Sequence, residues 1–116
     1  MSASILIVDD DEAIRRLFEA WIEAAGMRVV QAGTRDEAYQ QYTRYNVAVA
    51  LVDLELGRED GLDLARQMMA GSRPIAVISV TGHGDSETVR RIEAAGCAAR
   101  LEKPVDRSTL VGLVQQ

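Results

Sequence analysis

Apolar residues in this chain gather into short runs, and longer stretches of mixed polarity separate them. Five runs read as strands: Ser4 to Val8, Met27 to Ala32, Val47 to Val52, Ile75 to Val80 (interrupted by Ser79) and Ala98 to Glu102. The stretches between them repeat with a helical period. From Glu12 to Ala25, the residues Ile14, Leu17, Phe18, Trp21, Ile22 and Ala25 recur on one predicted face, and Gly26 is a stop signal. Thr34 and Glu37 form a capping box for a helix from Arg35 to about Tyr45. A third helix is predicted from about Leu62 to Met69, ended by Gly71-Ser72. A fourth, capped by Asp85 or Ser86, runs to Ala95 and stops at Gly96. A last one begins near Asp106 or Arg107 and reaches Gln116. Gly57 to Gly61 and Gly82-His83-Gly84 read as a polar loop and a flexible turn.

Strand and helix thus alternate along the whole chain. That order predicts a parallel sheet covered by helices on both faces, a three-layer doubly wound α/β fold. Right-handed crossovers leave few topologies. For five strands the expected order is 2-1-3-4-5, flavodoxin-like, with its switch point between strands one and three. Val47 to Val52 is apolar throughout, as expected of a strand buried on both faces.

Composition narrows the class. The 116 residues read as one domain, 1–116, and 47% hydrophobic content is enough for a continuous core. The formal net charge of -5 argues against direct nucleic-acid binding by this chain. Cys97 is the only cysteine, so no internal disulfide is possible, and a reducing compartment is expected. No apolar run is long enough to span a bilayer, and Asp9 to Asp11 interrupt the first one too early for a signal peptide. The expected location is the cytoplasm, with no membrane partner. Met1 stands just before the first strand, so the chain reads as either a stand-alone protein or the N-terminal part of a longer one. The short last helix favours a trimmed chain.

Four of the strands stop on side chains that carry chemistry: Asp9-Asp10, Asp53, Thr81 and Lys103-Pro104. Ligands of open parallel sheets bind just outside the carboxyl ends of the strands. Three carboxylates brought together there repel one another unless a cation joins them. Mg²⁺ is the expected partner, with Asp10 and Asp53 as direct ligands and Asp9 through water. Asp9 to Glu12 also reads as an acidic cap and first turn of the helix that follows, with Asp11 best suited to capping. Asp53 ends an apolar strand, where a carboxylate is badly solvated unless it reaches a functional surface. It is suited to attack phosphorus and form an acyl phosphate. Lys103 can hold a phosphoryl oxygen as a point charge, and Thr81 can donate a hydrogen bond to another. Each also has a plainer reading: a loop-capping Asp53, a solvated Lys103, a β-branched strand end at Thr81.

VDDD at Val8 to Asp11, LVDLELGREDG at Leu51 to Gly61, TGHGD at Thr81 to Asp85 and the Lys103-Pro104 pair resemble, in order and spacing, the receiver domain of two-component response regulators. The resemblance implies that Asp53 accepts a phosphoryl group from a phosphohistidine on a sensor histidine kinase or phosphotransfer protein. It implies Asp9, Asp10, Asp53 and the backbone carbonyl of Glu55 as the Mg²⁺ set. It implies Thr81 as the switch hydroxyl and Lys103 as the phosphate-contacting cation. It also implies kinase docking near Ala13, Ile14 and Leu17 and the loop after Lys103. The face of helix four, strand five and helix five would then bind a partner, or a second copy in a phosphorylation-dependent homodimer. A cis Lys103-Pro104 bond would turn the chain sharply there.

Three positions depart from the family pattern. Arg100 stands where an aromatic switch residue is usual, Gly57 where proline is frequent, implying a looser loop, and Val105 where phenylalanine is common. Glu55 and His83 occupy the positions that, by the resemblance, tune hydrolysis of the acyl phosphate; an acidic Glu55 would repel an incoming anion or ligate the metal. His83 reads as an exposed loop residue. Tyr39, Tyr42 and Tyr45 mark one helical face, Arg15-Arg16 and Arg90-Arg91 solvated faces, and Cys97 a small packed residue. Two other functions are compatible with these residues: a receiver-like binding module that signals without phosphate, favoured by Arg100 and Glu55, and a phosphohydrolase using Asp53 as nucleophile and Glu55 as acid/base.

Overall fold

The computed structural model describes residues 3–73 and 75–115; the expectations at Met1 and Gln116 lie outside them. Five parallel strands form one sheet: β1 (Ser4–Val8), β2 (Arg28–Ala32), β3 (Val47–Asp53), β6 (Ala76–Thr81) and β7 (Ala99–Glu102), in the order β2-β1-β3-β6-β7. This is the expected 2-1-3-4-5 arrangement. Helices α1 (Glu12–Ala24), α2 (Arg35–Arg44), α3 (Gly61–Met69), α4 (Ser86–Ala95) and α5 (Arg107–Val114) supply the crossovers.

Alternation along each strand builds two cores, one on each face of the sheet. From β1, Leu6 and Val8 pack with Ala38 and Tyr42 of α2 and Leu64, Ala65 and Met68 of α3. Ile5 and Ile7 face the other way, onto Phe18 and Ile22 of α1 and Leu110 and Val114 of α5. Each such fully buried aliphatic or aromatic side chain contributes about 1.5–3 kcal/mol. The helices start where short polar side chains take up their free N–H groups: Asp11, Thr34, Asp60, Asp85 and Asp106 all accept backbone hydrogen bonds at N-caps. The carboxyls of Asp85 and Asp106 are held below the usual carboxylate range, chiefly by hydrogen bonds from Thr88 and Ser108 respectively.

The structure corrects four sequence expectations. The segment after Asp53 is no loose loop: Glu55–Leu56 (β4) and Glu59–Asp60 (β5) pair as a small antiparallel hairpin. Gly57 has φ +61° at its tip, a conformation proline cannot adopt. Leu17 lies at the edge of the α1 stripe and is 44% exposed. Of the three tyrosines only Tyr42 is buried, its hydroxyl donating to the Arg73 carbonyl at 3.0 Å, while Tyr39 and Tyr45 are exposed. The reason for Tyr45 is that the helix has ended at Arg44. Arg15 is not a solvated side chain but half-buried and hydrogen-bonded at the head of β1.

Candidate functional site

Every predicted strand-end residue reaches the same edge of the sheet. Asp9 follows β1, Asp53 ends β3, Thr81 ends β6 and Lys103 follows β7. Backbone hydrogen bonds carry the sheet past its last strand residues and fix these ends. Asp9 N–H donates to Ala32 O (3.1 Å), Leu54 N–H to Val80 O (2.9 Å) and Lys103 N–H to Thr81 O (2.8 Å). The Lys103–Pro104 peptide is cis.

Asp9 and Asp53 are each only 2% exposed, whereas Asp10 is open to solvent. One oxygen from each of the three carboxylates falls within 4.8 Å of the others. The Lys103 ammonium lies 3.1 Å from Asp53 Oδ2 and 3.4 Å from Asp9 Oδ2. The other oxygens are held by backbone: Asp53 Oδ1 accepts from Glu55 N–H at 3.0 Å, and Asp9 Oδ1 from Asp11 N–H at 2.9 Å. Asp9 Oδ2 is buried and has only the Lys103 ion pair at 3.4 Å, with no well-formed hydrogen bond among the described residues. One lysine therefore serves two buried carboxylates, and the third has none. Converging hard oxygens with a buried acceptor that lacks a well-formed hydrogen bond fit a divalent cation such as Mg²⁺.

The electrostatics agree. Burial pushes the Asp53 carboxyl up from 3.8 to about 6; the Lys103 hydrogen bond opposes this, the Asp9 charge adds to it, and the Glu55 N–H opposes it again. Burial alone would pull Lys103 down, but its hydrogen bond to Asp53 and the charges of Asp53 and Asp9 outweigh that, and it is raised. Lys103 therefore stays an ammonium at neutral pH.

Thr81 is fully buried, but its hydroxyl does not point its proton at Asp53. It donates to Glu55 Oε2 at 3.0 Å and accepts from His83 N–H at 3.0 Å. Glu55 Oε1 accepts from Gly82 N–H at 3.1 Å, with His83 Nε2 3.8 Å away. The Glu55 side chain is thus turned to the β6–α4 loop and is not one of the clustered carboxylates. Its backbone N–H is what meets Asp53. His83 is exposed, as expected. So is Arg100 on β7, whose register partner is Ser79 of β6. Val105 is half-buried against the α1/α5 core. Cys97 is half-buried and accepts a hydrogen bond from the Ser79 hydroxyl at 3.0 Å.

Two contributors escaped the sequence reading. Arg15 donates to the Asp9 carbonyl at 2.7 Å and to Gln31 Oε1 at 3.0 Å, and Gln31 in turn bonds Glu19. The chain of contacts runs from α1 through β2 to the turn that carries Asp9 and Asp10, and only its position one residue past the apolar Ile14 hinted at it. Gly61 approaches the site from behind: a Cβ there would lie 2.1 Å from the Asp53 carbonyl oxygen. A glycine at the first position of a helix was the available signal.

The family model of the response regulator receiver domain matches residues 5–115. A response regulator receiver domain protein from Methanospirillum hungatei superposes with a TM-score of 0.91 at 29% identity, over 99% of this chain and 92% of that one. A response regulator receiver protein from Pseudomonas putida gives 0.91 and 29%, over 99% and 97%. Among curated relatives, the alginate biosynthesis transcriptional regulatory protein AlgB of Pseudomonas putida is 35% identical over 86% of this chain. The CAI-1 autoinducer sensor kinase/phosphatase CqsS of Vibrio cholerae is 29% identical over 95% of it. The chain spans 22% and 16% of those two proteins' own lengths. Sequence and fold agree over almost every residue: the chain belongs to the response regulator receiver domain family, the phosphoaccepting module of two-component signal transduction.

Proposed function

We propose that this chain, as one domain over 1–116, takes a phosphoryl group onto Asp53 and passes the signal on through the loops around it. The observation that carries this reading is the Lys103 ammonium set between Asp53 and Asp9, whose buried Oδ2 has that ion pair but no well-formed hydrogen bond. Receiver domains accept phosphoryl groups from histidine kinases, and a sensor histidine kinase or phosphotransfer protein is the proposed donor here. An Asp53 oxygen attacks phosphorus, the bond from phosphorus to the donor imidazole breaks, and its electron pair returns to the ring nitrogen. Lys103 holds one oxygen of the transferred group, and the Glu55 N–H keeps the Asp53 carboxylate oriented.

Mg²⁺ would be held by Asp9, Asp10, Asp53 and the Glu55 carbonyl, and when bound it supplies positive charge beside the transferred oxygens. The exposed Leu17 with Ala13, on the side of α1 that also carries Glu12 and Arg16, is the proposed kinase contact. The face of α4, β7 and α5 is the proposed output surface, for a partner or a second copy. No helix among the described residues is long and apolar enough to cross a membrane. The lone Cys97 is in keeping with a cytoplasmic setting. The net charge of -5 disfavours direct nucleic-acid contact by this domain.

Incubation with Mg²⁺ and acetyl phosphate, read by intact mass, tests the assignment. One phosphoryl adduct is expected, acid-stable and base-labile, absent in Asp53→Asn and after EDTA. An unmodified wild type would favour the phosphate-independent binding module. An adduct retained in Asp53→Asn would mean another acceptor.

A further inference from the structure

The Glu55 side chain joins the turn after Asp53 to the β6–α4 loop. Its backbone N–H is bonded to Asp53 Oδ1, so the residue is anchored at the nucleophile. Its carboxylate reaches across to the β6–α4 loop, where one oxygen accepts a hydrogen bond from the Thr81 hydroxyl and the other accepts one from the Gly82 N–H. Pairing of β4 with β5 through Glu55 and Asp60 holds the anchor in place.

A threonine hydroxyl has one proton to give. With its O–H directed at Glu55 Oε2 and a lone pair accepting from His83 N–H, Thr81 has no hydrogen-bond donor left for a phosphoryl oxygen. We propose that Glu55 is a positioning residue that clasps Thr81 and the β6–α4 loop in the resting protein, and that a phosphoryl group on Asp53 displaces it. This rests on Asp53 being the phosphoacceptor.

Two forces open the clasp together. The phosphoryl group adds acceptor oxygens that compete for the same hydroxyl proton, and it brings about -1.5 to -2 charges next to a carboxylate of the same sign. The β6–α4 loop has room to shift without unpacking the core. A cavity of about 180 Å³ lies on its α4 side, lined by Glu55, Thr81, His83, Thr88 and Arg91 among others. By linkage, whatever the clasp gives the resting state it subtracts from affinity for the phosphoryl group.

The test is a double-mutant cycle with beryllofluoride and Mg²⁺ as the phosphoryl mimic, followed by the amide resonances of Gly82 and His83. Glu55 is partly exposed, so Glu55→Ala should fold, and it is expected to bind the mimic about five-fold more tightly than wild type. In a Thr81→Ala background the gain should shrink to about two-fold, the part owed to removing a like charge, because the clasp has already lost its hydroxyl. An equal gain in both backgrounds would mean simple removal of a repelling charge, and would overturn the proposal, as would no gain at all. Hydrogen exchange in the free protein provides a reading that does not depend on Asp53. The Gly82 amide should exchange several-fold faster in Glu55→Ala than in wild type; equal rates would show that no clasp exists. If the wild type neither binds the mimic nor takes phosphate from acetyl phosphate while the Gly82 amide is protected by Glu55, the failure lies with the reading of Asp53.

Discussion

Lys103 Nζ lies 3.1 Å from Asp53 Oδ2, across fifty residues of chain. Neither group is at ease alone. Asp53 is buried beside another carboxylate, and the ammonium is the nearest compensation for both. Lys103→Met should keep the apolar stem and the fold but remove the charge. Phosphorylation by acetyl phosphate should slow by about ten-fold or more, the scale of one well-placed electrostatic contact. Lys103→Arg should recover only part of it, because a planar fork does not match a point-charge site. A Lys103→Met protein with the wild-type rate would remove the lysine from the mechanism.

Stability should depend on pH through Asp53. Its carboxyl is raised from 3.8 to about 6, so the fold favours the protonated form. Its contribution to stability is complete below the ordinary value of 3.8 and is lost as pH rises through about 6. Metal-free Asp53→Asn should therefore be the more stable protein at neutral pH, by on the order of 2 kcal/mol. That advantage should vanish in acid. Urea melts in EDTA across this range measure it; an advantage growing toward low pH would contradict the assignment.

Divalent cation should act in the opposite direction, relieving the same repulsion. With Mg²⁺ at about a hundred-fold its dissociation constant, the wild type should gain nearly 3 kcal/mol, or roughly 10 °C in melting temperature. Asp10→Asn and Asp53→Asn should lose most of that shift. A shift unchanged in both variants would place the ion elsewhere.

Arg15 holds the Asp9 carbonyl at 2.7 Å and so fixes the turn that presents Asp9 and Asp10. Supports of this kind usually matter about ten-fold for metal affinity. Arg15→Met should weaken Mg²⁺ binding to that extent while leaving the Phe18 and Ile22 core intact. Isothermal titration read beside near-UV circular dichroism separates the two effects.

Gly61 leaves no space for a methyl group, which would sit 2.1 Å from the Asp53 carbonyl oxygen and 2.9 Å from the Leu54 Cα. Both are backbone atoms, so β3 or α3 must move. Gly61→Ala should cost about 1–3 kcal/mol and also weaken Mg²⁺ binding. Gly112→Ala, at a helix position with open space, should have neither effect.

The strands were legible because an apolar run of the right length is both the chemical requirement for a buried strand and a visible pattern; β1 was placed at its observed bounds and β3 fell one residue short, at Val52. The β4/β5 hairpin was not, because two-residue strands have no periodicity to detect. Leu17 was misplaced because a helical stripe tells which side faces inward but not how far the sheet extends beneath it. Tyr45 failed for a related reason: spacing cannot say that a helix has stopped.

Asp9, Asp10, Asp53, Thr81 and Lys103 were readable one by one, since each ends an apolar run and a parallel sheet gathers such ends on one edge. Sequence order alone therefore determined the fold class and the membership of the cleft. Which donor meets which oxygen was decided only by the tertiary structure. Glu55 lies 26 residues from Thr81, and only the crossover through α3 brings them to 3.0 Å. Arg15 reaches the Asp9 carbonyl only because α1 folds back along β1 and β2. A hydrogen bond depends on tenths of an ångström between distant segments, and no local pattern in the chain encodes that distance.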